Sequence, residues 1–259
     1  MDPQEQVDAL SALQGRDHEI EIALAKAPIS RVVPFQGGGA HTSPVFIAIL
    51  EGARACYWKP CNGVARSPYG AQALANYGQT HYSATIAECA AWQLAKRMGS
   101  PWDEMVAPTV LRFVEPPDGG LEHGSLSIHR EGKDKTRGFI AELPSLAAAA
   151  ALFDCLIGQQ DRNEGNVLWD QAGRRIHLID HQFSFARPGA GHGELLFWGW
   201  RWEQGARGLD RTELDLLAGL QGAAFDDLAT FLELERMAAL RNRCHRMIST
   251  RQLLPPGDY

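Results

Sequence analysis

The chain has no CxxC pair, no apolar run of membrane-spanning length and no long run of basic residues, and each absence removes a class of function. Its five cysteines, Cys56, Cys61, Cys89, Cys155 and Cys244, are odd in number and scattered. Neither a secreted disulfide framework nor a paired zinc motif is therefore expected. Asp2, Glu5 and Asp8 stand where a secretory leader needs a basic segment followed by an apolar one. The expectation is a reducing, cytoplasmic setting without a membrane span. The formal charge of -6 is spread over both halves, and no basic stripe could follow a phosphodiester backbone, so nucleic acid is not an expected partner.

What is present is ordinary globular material. With 259 residues, 45% hydrophobic and 22% charged, the chain can bury one sizeable core or two small ones. The alternating piece His18-Glu19-Ile20-Glu21-Ile22 predicts a strand exposing its carboxylates. Val32 to Phe35 leads into Gly37-Gly38-Gly39, and two further strands, Pro44 to Leu50 and Ala55 to Lys59, flank a turn at Glu51-Gly52. Asn62 to Tyr82, rich in Gly, Ser, Pro and Tyr, reads as a functional loop. A helix over Thr85 to Met98 follows, capped by Ser83 and closed at Gly99-Ser100-Pro101. Val106 to Val114 and Gly124 to His129 read as strands separated by a turn at Pro116 to Gly120. After Pro144 come an alanine-rich helix, two short strands at Val167 to Trp169 and His177 to Ile179, and helices beyond Leu209. The reading is α+β, with a β-rich front and an α-rich back.

The most informative stretch is Asp161-Arg162-Asn163-Glu164-Gly165-Asn166, followed by strand, turn at Asp170 to Gly173, strand, and Asp180. A hairpin brings its two ends together, so Asp161, Asn166 and Asp180 should converge. Two carboxylates and an amide oxygen form the hard-oxygen set that magnesium takes alongside phosphate and water. The residues alone equally allow a surface hairpin with turn-forming Asp and Asn.

At these positions the sequence resembles the phosphatidylinositol 3- and 4-kinase-like families, whose catalytic loop reads Asp-Arg-His-x-x-Asn, and the HipA-like bacterial kinases. Tyr57-Trp58-Lys59-Pro60 resembles the strand that carries the nucleotide lysine in the bacterial proteins, and Ile86-Ala87-Glu88-Cys89-Ala90-Ala91 their glutamate helix. The ordered set spans roughly Val33 to Phe185 and is more specific than any one motif. The resemblance implies a two-lobed, protein-kinase-like fold: residues 1–30 an extension and first strand, 31–130 a nucleotide-binding lobe, and 131–259 a helical catalytic lobe. A hinge between Ser125 and Phe139 would meet the adenine. It also implies ATP and magnesium, and transfer of the γ-phosphoryl group to a hydroxyl, foremost Ser or Thr of a protein, with lipid and small-molecule acceptors left open.

Phosphoryl transfer needs a cation on the phosphates, metal ligands and an acceptor for the incoming hydroxyl's proton. Lys59 ends an apolar strand and can reach α- and β-phosphate oxygens, unless it is a solvated strand-end lysine. Glu88, among Ala87, Ala91 and Ala95, can hold that lysine, or be a plain exposed helix glutamate. Asp161 would take the proton, Arg162 hold the loop, and Asn166 and Asp180 ligate metal. The backbone of Gly37, Gly38, Gly39, His41, Thr42 and Ser43 can wrap phosphates, or form a flexible linker; it is no Walker-type loop, because no Gly-Lys-Ser/Thr follows. Asn163 replaces the histidine of the family loop, which removes a titratable group beside Asp161, and His181-Gln182 follows the metal aspartate. A nucleotide-binding pseudokinase and a nucleotidyl transferase are the rival readings. Cys56 and Cys61 read as buried thiols, His177 as a packed histidine, and the aromatic patch from Phe197 to Trp202 as packing between a loop and the back helices, with a substrate groove possible there.

Overall fold

The computed structural model describes residues 2–16, 18–35, 44–52, 54–117, 119–133, 138–190, 192–193 and 195–255. Helix α1 (Pro3–Leu13) opens with a capping box, the Asp2 carboxylate accepting from the backbone and Glu5 answering it. The expected strand at residues 18–22 is instead the start of helix α2 (Glu19–Lys26). Five alternating residues are too few to fix a period. Ile20 and Leu24, four apart, share one face, and Glu, Ala, Leu and Lys are good helix formers. Of the two carboxylates expected to be exposed, Glu19 is, and Glu21 is fully buried.

Strands β1 (Ile29–Pro34), β2 (Phe46–Leu50) and β3 (Arg54–Pro60) form an antiparallel meander. Pro34 pairs with Phe46, and residues 36–43, including the glycine triplet, His41, Thr42 and Ser43, lie outside the described residues. Residues 62–82 are not one irregular loop. Ser67 caps helix α4 (Pro68–Asn76), which follows the short α3 (Gly63–Arg66), so the Gly, Pro and Ser that suggested a loop are helix starts and caps. Helix α5 (His81–Met98) is capped by Thr80 rather than Ser83; Ser83 completes a reciprocal box three residues in. It ends at Gly99, whose φ of 73° suits glycine. After α6 (Trp102–Met105), strands β4 (Thr109–Val114) and β5 (Glu122–Ile128) complete a five-stranded sheet of order β1-β2-β3-β5-β4.

The back half holds α7 (Gly138–Glu142), α8 (Pro144–Ile157), the hairpin β6 (Val167–Asp170) and β7 (Arg175–Leu178), and helices α9 (Leu196–Glu203), α10 (Arg211–Leu220), α11 (Ala223–Ala229) and α12 (Leu234–Thr250). Two main apolar cores result. The smaller packs α2 on the sheet through Leu24, Ala48, Cys56, Trp58, Val110 and Leu126. The larger joins α5 to the hairpin and back helices through Trp92, Phe153, Leu156, Phe197, Phe225 and Leu240. Strand alternation then sets the site: Cys56, Trp58 and Pro60 are buried, and Lys59, between them, points to the opposite face of β3. Among the described residues no helix is long and apolar enough to cross a membrane.

Candidate active site

Lys59, near the end of central strand β3, bridges two carboxylates. Its Nζ lies 2.6 Å from Glu88 Oε1 on α5 and 3.0 Å from Asp180 Oδ1 just beyond β7. Glu88 is 7% exposed, so it is not the plain surface glutamate that its helix position allowed. Its second oxygen accepts the backbone N–H of His181 at 3.0 Å. One carboxylate thus ties β3, α5 and the end of the hairpin together. Burial alone would depress the Lys59 pKa; Asp180 and Glu88 outweigh it and raise the value, so the ammonium stays charged. Asp180 has φ 59°, a left-handed conformation uncommon for a residue other than glycine. Gln159 Nε2 donates to its carbonyl at 3.1 Å and holds it there.

The hairpin register explains the convergence that its ends suggested. Val167 pairs with Leu178, and the N–H of Ile179 donates to the carbonyl of Asn166 at 3.1 Å, so Asn166 and Asp180 sit at the same open end. The Asn166 side-chain amide donates to the carbonyl of Asp161 at 2.7 Å, which leaves its Oδ1 as the ligand atom it can offer. Asp161 Oδ1 accepts from Asn163 Nδ2 at 3.0 Å. Asn163 therefore orients the aspartate but cannot titrate. Tyr77 lies nearby, its ring tilted against Phe183 with centroids 4.7 Å apart; burial, and secondarily the charge of Asp161, push its pKa up.

Arg162 is fully buried and faces the protein rather than the cleft. Its guanidinium meets the Asp154 carboxylate at 3.0–3.2 Å, the carbonyls of Asn166 (2.8 Å) and Ile179 (2.6 Å), and His181 Nδ1 (3.2 Å). Because arginine only donates, His181 Nδ1 must accept, and its Nε2–H donates to the carbonyl of Leu178 at 3.2 Å. Burial, then the Arg162 charge, holds the His181 pKa well below the usual range, so the ring is neutral. Two further arginines fix the segment after Asp180. Arg236 donates to the carbonyls of Phe185 and Gly78, and Arg243 to those of Ala186 and Leu156.

The structure thus brings Lys59, Glu88, Asp180, Asn166, Asp161 and Arg162 into one cluster, while the glycine-loop residues 37–39 and 41–43 lie outside the described residues. Sequence reading missed Gln159, Tyr77, Arg236 and Arg243, and noted His181 without giving it a role. It also missed Asp154, for which a signal existed: it is the single charged residue in the apolar helix α8, and a buried carboxylate demands a partner. Cys56 and Cys61 are buried free thiols whose pKa burial pushes up to about 11. His177 is buried on β7 and bonds the carbonyl of Glu104 at 3.2 Å. The patch from Phe197 to Trp202 is helix α9 rather than a loop: Phe197 is in the core, and Trp198 and Trp200 line an open cleft.

The donor set suits a divalent cation shared with phosphate. Among the described residues no group of three or more His, Cys, Asp or Glu could cage a metal. One carboxylate (Asp180) and one amide oxygen (Asn166) instead suit a divalent cation that keeps phosphate and water ligands rather than an all-protein shell.

No protein-family model matches the sequence, and no curated protein matches it. Among solved structures, the Golgi casein kinase superposes with a TM-score of 0.53 at 14% identity, over 89% of this chain and 74% of that one. The Golgi casein kinase with Mn and ADP bound gives 0.52 at 16% identity, over 96% and 76%. At this identity the likeness shows the fold. The chain has a two-lobed α+β architecture of the protein-kinase-like class, a β-rich lobe followed by a mostly helical one.

Proposed function

We propose that the protein transfers the γ-phosphoryl group of ATP to a hydroxyl acceptor, with magnesium, and that residues 31–130 and 131–259 are its two working lobes. The observation that carries this is the bridge from Lys59 to both Glu88 and Asp180, since three elements far apart in sequence meet there. Lys59 would hold α- and β-phosphate oxygens, with Glu88 fixing its position. Asp180 and Asn166 would hold magnesium, which when bound neutralises phosphate charge. Asp161 orients the acceptor hydroxyl and takes its proton as the new oxygen–phosphorus bond forms; the bond to the ADP oxygen breaks and its electron pair leaves with ADP. Arg162 acts from behind, locking the loop through Asp154 and two carbonyls. The order of motifs favours kinship with the phosphatidylinositol-kinase-like and HipA-like proteins, and we take Ser or Thr of a protein as the acceptor.

Mass spectrometry of the protein after incubation with magnesium and ATP, paired with γ- and α-labelled nucleotide, tests the reading. The expected result is γ-label alone on the protein or an added acceptor, abolished in Lys59→Ala. Transfer of α-label would establish a nucleotidyl transferase, and ATP binding without transfer of either label a pseudokinase.

A further inference from the structure

We infer that the cleft along α9 is the acceptor subsite and that it takes a polypeptide with a large apolar residue beside the phosphorylated hydroxyl, an inference that rests on the phosphotransfer reading above. The cleft, about 450 Å³, is walled by Ile140, Leu195, Leu196, Trp198 and Trp200. Its near end adjoins Asp161 through paired backbone. The N–H of Gly193 donates to the carbonyl of Gln160 at 2.5 Å, that of Leu196 to the carbonyl of Arg162 at 2.9 Å, and Leu195 pairs with Arg162 as in a parallel sheet. A methyl group on Gly193, which lines the cleft, would stand 3.5 Å from Asp161 Oδ1 and 2.9 Å from the Tyr77 hydroxyl. A hydroxyl presented to Asp161 therefore has its neighbouring groups over this apolar floor.

Chemistry selects the occupant. Among the described lining residues there is no lysine or arginine, and the one carboxylate is Glu203. His192 also lines the cleft, and the aromatic and aliphatic walls suit an aliphatic or aromatic side chain better than an anionic headgroup such as a phosphoinositide or sugar phosphate. Glu203 lies seven residues beyond Leu196, about 10 Å along the helix axis. That is the reach of about three extended residues, so a basic residue about three positions past the apolar one is also favoured.

Gly199 supplies a test that leaves the core alone, because a side chain built there meets nothing within 4 Å and enters the cleft. The full chain is given magnesium, γ-labelled ATP and a positional-scanning peptide library around a fixed Ser or Thr, with phosphatidylinositol vesicles as a second arm. The inference expects at least tenfold preference for Leu, Phe or Trp beside the hydroxyl over Gly or Asp. Gly199→Phe should abolish peptide labelling while the thermal shift given by magnesium and ATP persists. Trp200→Ala, which opens the cleft instead of filling it, should weaken the apolar preference. Labelling indifferent to the neighbouring residue, labelling unchanged in Gly199→Phe, or labelling of the vesicles in place of peptides overturns the assignment while leaving phosphotransfer standing. A wild-type protein that neither binds ATP nor moves its γ-phosphate onto anything overturns both.

Discussion

Replacing Glu21 with alanine removes the acceptor on which four donors converge: the backbone N–H of Gly15 at 2.8 Å, and Trp92 Nε1, Gln93 Nε2 and Lys96 Nζ, each at 2.9 Å. Three of these are neutral groups with nowhere to turn, and each stranded donor costs about 1 kcal/mol or more. Lys96 is close enough to solvent to rehydrate, since its side chain is 11% exposed. The sum is about 3–5 kcal/mol, the range for breaking a buried ion pair, against a total stability of about 5–15 kcal/mol. For a chain of this size that lowers Tm by roughly 6–20 °C. Glu21→Gln keeps an acceptor oxygen and should cost only about 1–2 kcal/mol. Burial alone would raise the Glu21 pKa, but Lys96, Gln93, Gly15 and Trp92 bring it below the ordinary 4.5. The stabilisation is therefore complete above pH 4.5 and lost as pH falls through the lower folded value. Urea unfolding followed by tryptophan fluorescence measures each cost. A Glu21→Ala variant within 1 kcal/mol of wild type, or a Glu21→Gln variant as damaged as Glu21→Ala, would mean that the four donors do not depend on this carboxylate as acceptor.

Three further outcomes are expected. Arg162→Ala leaves the Asp154 carboxylate buried without its partner and should cost about 3–5 kcal/mol in urea unfolding, with Arg162→Lys recovering little because the fork of contacts is lost. His181 is neutral when folded and takes up a proton when unfolded below its ordinary pKa of 6.5; it should contribute a fall in stability of up to about 1.4 kcal/mol per pH unit below 6.5, a slope that His181→Asn reduces in pH-dependent unfolding. In Lys59→Met, calorimetric titration should register ATP affinity weakened at least tenfold, with Tm lowered because the buried Glu88 carboxylate is left beside Asp180 without its ammonium.

Much of the fold was legible because it is written in local chemistry. The hairpin turn at Asp170 to Gly173, the alternation of β3 and the alanine-rich α8 all appear where periodicity puts them. The convergence of Asn166 and Asp180 was legible too, since a two-stranded hairpin leaves little choice about where its ends lie. Two regions misled for physical reasons. In residues 18–22 an alternating pentapeptide was overridden by helix propensity and by a tertiary demand, the burial of Glu21 against α5. In residues 62–82 helix caps were taken for loop residues. The buried arginines Arg236 and Arg243 were illegible, because a basic residue on an amphipathic helix gives no sign of which distant carbonyl it will reach.

Asp161 as the proton acceptor beside an intact nucleotide site is the central claim about the chemistry. Asp161→Asn should keep the stabilisation that magnesium and ATP give, about 2.7 kcal/mol at a hundredfold excess over Kd, while γ-phosphate transfer falls about 10²–10⁴-fold. Transfer at the wild-type rate in that variant would contradict it.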